Sequence, residues 1–321
     1  MSDPFPRKFG DFVLLEKYSS GQLSEVFKAQ APQWANQTVA IKRIRKEFVN
    51  DKKYIDLLES EAATLSEVSH PNLLSVYGFY QQEDYPFLVT EFFDSINMAS
   101  LNKYLYQRNR LLPNYVAAYL VSQAAQGLEH LHQMRDRQNN AVQILHTDLG
   151  PHNLLVGKNG AIKLIDFSFA LSAHNLKMTG SEESWVPLTA ISPERAKGEP
   201  FGASSDIFEL GLVFYELLTG CTPFGDKKER ALYEAIKNYH IKELLLPDSM
   251  EPFLKKIFKK CLFHLQEERY ASALNFERDL TKYMDIFHSE HSRLDIENYL
   301  SKVLNPNLPT LIPTSKSASN R

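Results

Sequence analysis

Between Asp11 and Phe93 the chain breaks into short runs rich in β-branched and aromatic residues, FVLLEKY, SEVFKAQ, TVAIKRI, LLSVYGFY and FLVTEFF, with turn residues between them. Runs of that length and composition read as five strands. One segment interrupts them: DKKYIDLLESEAATLSEVSH sets Ile55, Leu58, Ala62 and Leu65 at helical spacing, and HPN closes it. After Leu101 the period changes, and PNYVAAYLVSQAAQGLEHLHQM, SSDIFELGLVFYELLTG, KERALYEAIKN and EPFLKKIFKKCLFHL read as long helices. Strands followed by helices imply an α+β chain of two lobes, a small antiparallel sheet with one helix and then a larger, mostly helical part. Between the first two long helices lie VQILH, LLVGKNGAIKLIDF and an irregular stretch to Ser192, too long for an idle connector.

The chain has 321 residues, 43% of them apolar and 12% aromatic, enough to bury a large core and to exclude a wholly disordered protein. Its 36 Lys and Arg against 39 Asp and Glu leave a formal charge of -3, so nucleic acid is not the expected partner. Cys221 and Cys261 have no second Cys nearby and are expected to be buried thiols in a reducing cytosol. No secretory leader opens the sequence, and no window reaches the ~18 apolar residues of a membrane span, so a soluble, cytoplasmic protein is expected. RLDIENYLSKVL reads as a docked helix with Leu294, Ile296, Tyr299, Leu300 and Val303 inward. The Pro- and Ser-rich tail over 305–321 reads as disordered.

Three stretches carry chemistry. In YSSGQLSEVFKA, the residues Tyr18, Ser19, Ser20, Gly21, Gln22, Leu23, Ser24, Glu25 and Val26 form a turn between strands, with small residues at the G-x-G-x-x-G spacing. Small residues let backbone N–H groups approach phosphate oxygens, although an ordinary hairpin turn would look similar. VAIK ends at Lys42 in a buried strand, and a buried ammonium needs an anion. Glu61 is the expected partner over Glu59 and Glu67, because Leu65 one turn later continues its inward face. In ILHTDLGPHNLLV, Asp148 and Asn153 stand on one loop, and Asp166 opens DFS further on. An Asn and an Asp converging from two loops offer the hard oxygens that Mg²⁺ requires, leaving a third carboxylate to orient a hydroxyl. Taken singly, each is also a common turn or capping residue.

Together with SPE at Ser192–Glu194, SSDIFELG with Asp206 and Gly211, and Arg269, these motifs in this order resemble a eukaryotic-type protein kinase, close in style to the bacterial Ser/Thr kinases. The resemblance implies a bilobal kinase domain over 9–284, with lobes at 9–92 and 93–284 and a helical extension over 285–304. It implies ATP and Mg²⁺ as cofactors and a protein Ser or Thr as acceptor. Lys42, paired with Glu61, would hold the α and β phosphates; Asn153 and Asp166 would bind the metal; Asp148 would take the hydroxyl proton. Glu91 to Phe93 would form the hinge at the adenine edge, Thr90 would guard the pocket behind it, and Val26, Ala40 and Leu155 would sandwich the base. Leu65, Val76, His146 and Phe167 would stack in an apolar column, Asp206 would hold the His146 loop, and Glu194 would pair with Arg269.

Three positions depart from that pattern. Thr147 replaces the Arg that precedes the catalytic Asp, which removes the reason for an activation-loop phosphate to neutralise it. Thr179, Ser181, Ser184 and Thr189 then read as plain loop hydroxyls. Gly150 replaces the Lys that bridges Asp148 and the transferred phosphate, and its usual Thr partner is missing near Pro187. Ser168 replaces the Gly of the DFS motif, a milder change. The retained set includes the base and both metal ligands, which favours an active, atypical kinase. A nucleotide-binding pseudokinase scaffold is the competing reading, ahead of a small-molecule kinase.

Overall fold

The computed structural model describes residues 5–304, apart from 22, 83–84, 136–137, 168–170, 173–190, 226, 228 and 249. Gln22, Ser168, the four loop hydroxyls from Thr179 to Thr189, Pro187 and the tail from Asn305 lie outside the described residues. The chain divides into two compact units, one running to Ser69 and again over Leu74–Asp94, the other comprising His70–Leu73 and Ser95–Leu304.

In the first unit β1 (Arg7–Phe9), β2 (Phe12–Ser20), β3 (Ser24–Ala31), β4 (Gln37–Ile44), α1 (Lys52–Leu65), β5 (Val76–Gln82) and β6 (Tyr85–Glu91) follow in sequence. The strands make one antiparallel sheet in the order β1-β2-β3-β4-β6-β5. The sequence suggests five strands; the additional β1 is three residues long, too short to show an alternation, and is folded back on β2 through Gly10 at φ 57°. β5 starts at Val76 and not at Leu73, because Leu73 bridges to Leu164 within the second unit.

Side chains alternate across a strand. Val39 and Ile41 of β4 therefore join Phe12, Leu14, Phe27, Ala29, Phe87 and Val89 in one apolar core, closed by the edge-on rings of Trp34 and Tyr80 against Phe12. Each Val, Leu, Ile or Phe among them contributes about 1.5–3 kcal/mol on full burial. Ala40 and Lys42 take the opposite face by the same alternation. α1 packs on β5 and β6, buries Leu58, Glu61, Ala62 and Leu65, and starts at Asp51, whose carboxylate accepts the Lys53 N–H at 3.0 Å.

The second unit contains β7 (Ser95–Asn97), α2 (Met98–Tyr106), α3 (Asn114–His132), β8 (Ile144–Leu145), β9 (Leu154–Gly157), β10 (Ile162–Leu164), β11 (Leu171–Ser172), α4 (Pro193–Lys197), α5 (Ala203–Thr219), α6 (Glu229–Lys237), α7 (Pro252–Cys261), α8 (Ala273–Phe287) and α9 (Arg293–Val303). α3 and α5 are buried almost all round, and α3 packs against both α5 and α8. α5 approaches α7 so closely that a Cβ at Gly211 would lie 2.8 Å from Cys261 Sγ, which explains the glycine there. The short strands β10-β9-β7 and β11-β8 hold the loops between α3 and α4. Among the described residues, no helix is long and apolar enough to cross a membrane.

Two sequence expectations need correction. Cys261 is buried, but Cys221 is exposed, since α5 ends at the left-handed Gly220 (φ 75°) and Cys221 begins a surface turn. In α9, Ile296, Leu300 and Val303 point inward while Leu294 is 63% exposed, because the first turn extends past the surface on which the rest of the helix rests.

Arg269 and Glu194 form a buried bidentate pair with both contacts at 2.8 Å. The guanidinium also donates to the carbonyls of Phe263, Ser204 and His264 and lies over the Phe208 ring. Burial alone would raise the Glu194 carboxyl; the Arg269 contacts outweigh it and hold the group below the usual carboxylate range. Arg269→Met strands that carboxylate without a counter-charge and is expected to cost about 3–5 kcal/mol. Urea unfolding would read this as a lowered midpoint with an unchanged slope.

Candidate active site

In the first unit the geometry centres on Lys42 and Glu61. Lys42 Nζ donates to Glu61 Oε2 at 2.7 Å, and the two side chains are 18% and 6% exposed. The pair bridges β4 and α1, and Lys42 lies opposite Val26 of β3 in register. Ala40, on the same face two residues earlier, is buried opposite Thr90.

The turn between β2 and β3 is tightly tied. Tyr18, Ser19 and Ser20 end β2, and Ser24, Glu25 and Val26 begin β3, with Ser19 opposite Val26 and Ser20 opposite Glu25. Gly21 N–H donates to Ser24 O at 2.8 Å, Arg45 Nη1 donates to Gly21 O at 3.2 Å, and the Arg45 N–H donates to Leu23 O at 2.9 Å. A Cβ at Gly21 would meet only Ser24 O, at 3.5 Å, so the hairpin's own packing does not require glycine. Glu25 is engaged by Lys17 and by Arg43 at 3.0 Å; burial would raise its carboxyl, and the two cations bring it below the ordinary range.

At the end of β6, Glu91 is bound to Ser75 twice, through its N–H to Ser75 O at 2.9 Å and by its Oε1 accepting Ser75 N–H at 2.8 Å. Thr90 Oγ1 donates to Glu91 O at 3.0 Å. Phe92, edge-on to Tyr18 at 5.2 Å, leads to the half-buried Phe93.

In the second unit the loop after β8 carries Asp148. The Asn153 amide, from the single turn Pro151–Asn153, donates through Nδ2 to Asp148 O and Asp148 Oδ2, both at 2.9 Å. With Nδ2 aimed at Asp148, Asn153 Oδ1 points away from it. Ile165 N–H donates to Asn153 O at 3.0 Å, so Asp166, half-buried and held at φ 65°, follows a residue bonded directly to Asn153. Leu155 lies on β9, between Lys163 of β10 and Asn97 of β7. An amide oxygen and a carboxylate on two bonded loops are hard oxygen donors of the kind Mg²⁺ takes.

The Asp148 loop is anchored from below. Asp206, 1% exposed on α5, accepts from His146 N at 2.9 Å and Thr147 N at 3.0 Å, and meets His132 Nε2 at 2.7 Å. Thr147 sits at φ 62°, a left-handed conformation that costs a β-branched residue of order 1–3 kcal/mol. His146 is fully buried, packs its ring at a tilt against Phe167 at 4.6 Å, faces Ile165 O through Nε2 at 3.2 Å and receives the Asp148 N–H on Nδ1 at 3.4 Å. That pattern fits the neutral ring protonated on Nε2.

At Gly150 the backbone is extended (φ −138°), so the fold does not demand glycine. The space is filled by His152: a Cβ at Gly150 would fall 2.5 Å from His152 Cε1, and His152 Nε2 lies 4.0 Å from Asp148 Oδ2. The sequence reading also passes over Arg195 and Glu209, which touch the loop on either side of Asp148. A glutamate inside the otherwise apolar run IFELGLVF is the signal that could have found them, since it must meet a partner when buried.

The profile of the protein kinase domain matches residues 12–280. Over 90% of its length the chain is 29% identical to the serine/threonine-protein kinase PrkC of Bacillus subtilis, covering 43% of that protein. It is 26% identical to the tyrosine-protein kinase MasK of Myxococcus xanthus over 90% of its length, covering 44% of MasK. With the serine/threonine-protein kinase PknB of Mycolicibacterium smegmatis it shares 28% identity over 86% of its length, again covering 44%. The chain thus spans less than half the length of these relatives.

Burial lowers the His146 pKa, and the pull of Asp206 and Asp166 does not reverse it. Below the unfolded value of about 6.5 the unfolded chain takes up a proton that the folded one refuses, so this residue's contribution is full above that pH and is lost as pH falls. His146→Phe, which keeps a ring against Phe167, should flatten the fall in melting temperature between about pH 7 and 5. An equally steep fall in the variant would assign the pH dependence to other groups.

Proposed function

Because the chain belongs to the protein kinase domain family, we propose that it is a Mg²⁺- and ATP-dependent protein kinase that phosphorylates Ser or Thr hydroxyls of protein substrates, working without the arginine and lysine usually found at 147 and 150. The observation that carries this reading is the Asn153 amide locked onto Asp148 while its Oδ1 points away, one backbone hydrogen bond from the segment bearing Asp166. In the proposed mechanism Asp148 orients the acceptor hydroxyl and takes its proton. Asn153 Oδ1 and the Asp166 carboxylate would hold a Mg²⁺ ion, which when bound would neutralise charge on the phosphate oxygens. The ammonium of Lys42, fixed in direction by Glu61, binds the α and β phosphates. Backbone groups of Ser19 to Ser24 approach the phosphates, which supplies a reason for Gly21 that the hairpin does not. By the family resemblance Val26 and Ala40 would contact the base, and the backbone of Glu91 and Phe93 would meet its edge. The need for ATP fits a cytoplasmic setting.

Serine or threonine is the proposed acceptor because PrkC and PknB carry that name, although MasK is named for tyrosine. The competing reading, a nucleotide-binding scaffold without turnover, draws on the absence of a cationic side chain at both 147 and 150. Losing one cation near a phosphate costs about a hundredfold in rate, whereas losing the base or the metal ligands removes positioning and charge neutralisation together. All of those groups are present in this sequence.

Mg²⁺-ATP at about 100 times its Kd should stabilise the chain by about 2.7 kcal/mol, read as a raised melting temperature. Lys42→Met should lose most of that shift. Asp148→Asn should keep it while losing phosphoryl transfer by about a hundredfold or more. A wild type that shows the shift but transfers nothing to protein Ser or Thr would favour the scaffold, and no shift at all would remove both readings.

A further inference from the structure

Two residues outside the proposed machinery close a bracket around Asp148. Arg195, on α4 directly after the Ser192–Glu194 motif, donates from Nη1 to Thr147 O at 2.7 Å and, in a shorter contact, to Glu209 Oε1. Glu209, on α5 one turn after Asp206, accepts the Leu149 N–H on Oε2 at 3.3 Å. The side chains are 7% and 0% exposed. The chain of contacts runs from the carbonyl before Asp148, through Arg195 and Glu209, to the amide after it.

Stability does not account for this pair. A buried acid and base of this kind are commonly matched or bettered by apolar residues of the same size, because both lose their water. α5 is apolar at most of its buried positions around Glu209, so a leucine there would continue its pattern. What apolar residues could not do is pair with the peptide groups on both sides of Asp148. Asp206 already takes the N–H groups of His146 and Thr147, and His146 and Asn153 take the Asp148 N–H and carbonyl; the Thr147 carbonyl and the Leu149 amide flank these, and the bracket takes both. It also supplies the guanidinium that position 147 lacks, already facing a carboxyl from the chain itself.

We propose that Arg195 and Glu209 are positioning residues for Asp148, fixing the peptide groups on either side of its carboxylate so that the loop is set without an added phosphate. The catalytic consequence rests on the kinase reading; the anchoring does not.

The full-length wild type would be compared with Arg195→Met and with the double variant Arg195→Met/Glu209→Leu, which removes both polar partners and strands neither. Three readouts are needed: amide hydrogen exchange at Leu149 and along α5, melting temperature, and kcat with KM for ATP. Both variants should lose protection at Leu149 at least tenfold while α5 keeps its own. Their kcat should fall at least tenfold with KM for ATP within about twofold, and the double variant should recover melting temperature without recovering kcat. Should Arg195→Met fail to fold, the double variant is judged by the same criteria. Unchanged protection at Leu149, or a double variant that regains kcat along with stability, would overturn the proposal. A wild type without phosphoryl transfer would overturn the kinase reading instead, and the exchange comparison would still decide the anchoring.

Discussion

One buried carboxylate sets the geometry on which the rest depends. Asp206 receives hydrogen bonds from His146 N and Thr147 N and contacts His132 Nε2, all within 3.0 Å, at 1% exposure. Burial pushes such a group up, yet the His132 contact and the His146 amide bring Asp206 below the ordinary carboxylate range. Hydrogen bonds to a charged group contribute about 1.5–3 kcal/mol each, which outweighs the ~1–3 kcal/mol of a left-handed Thr147. The strained turn therefore persists and presents Asp148 on its far side.

From that turn the order passes outward through neutral groups. His146 bridges the Asp148 amide and the Ile165 carbonyl, and Asn153 ties Asp148 to the segment that carries Asp166. No cationic side chain stands at 147 or 150. In the space beside Gly150 lies the His152 ring, 43% exposed, which could swing away at little cost if a longer side chain were introduced. The two missing side chains leave the wiring of the loop intact, because that wiring runs through Asp206, Asn153, Arg195 and Glu209.

Much of this was legible in the sequence for identifiable reasons. The α+β class followed from short β-branched and aromatic runs giving way to long helical periods. Lys42 and Glu61 could be matched because a buried strand lysine must find an anion, and only one glutamate shared the inward face of α1. β1 was missed because three residues cannot display a period. Cys221 was misread as buried because its apolar neighbours belong to α5, which stops at Gly220. Arg195 and Glu209 stayed hidden because local spacing does not reveal which distant loop a buried charge will meet. That contact, between residues 48 and 60 positions apart from their loop partners, exists only in three dimensions.

The central claim is that the catalytic loop is held by the chain's own side chains and needs no covalent switch. The most direct measurement is the rate of phosphoryl transfer before and after complete phosphatase treatment, with removal verified by intact mass. The account predicts a measurable rate that is the same in both samples. Loss of transfer on dephosphorylation, with Mg²⁺-ATP binding retained, would contradict it.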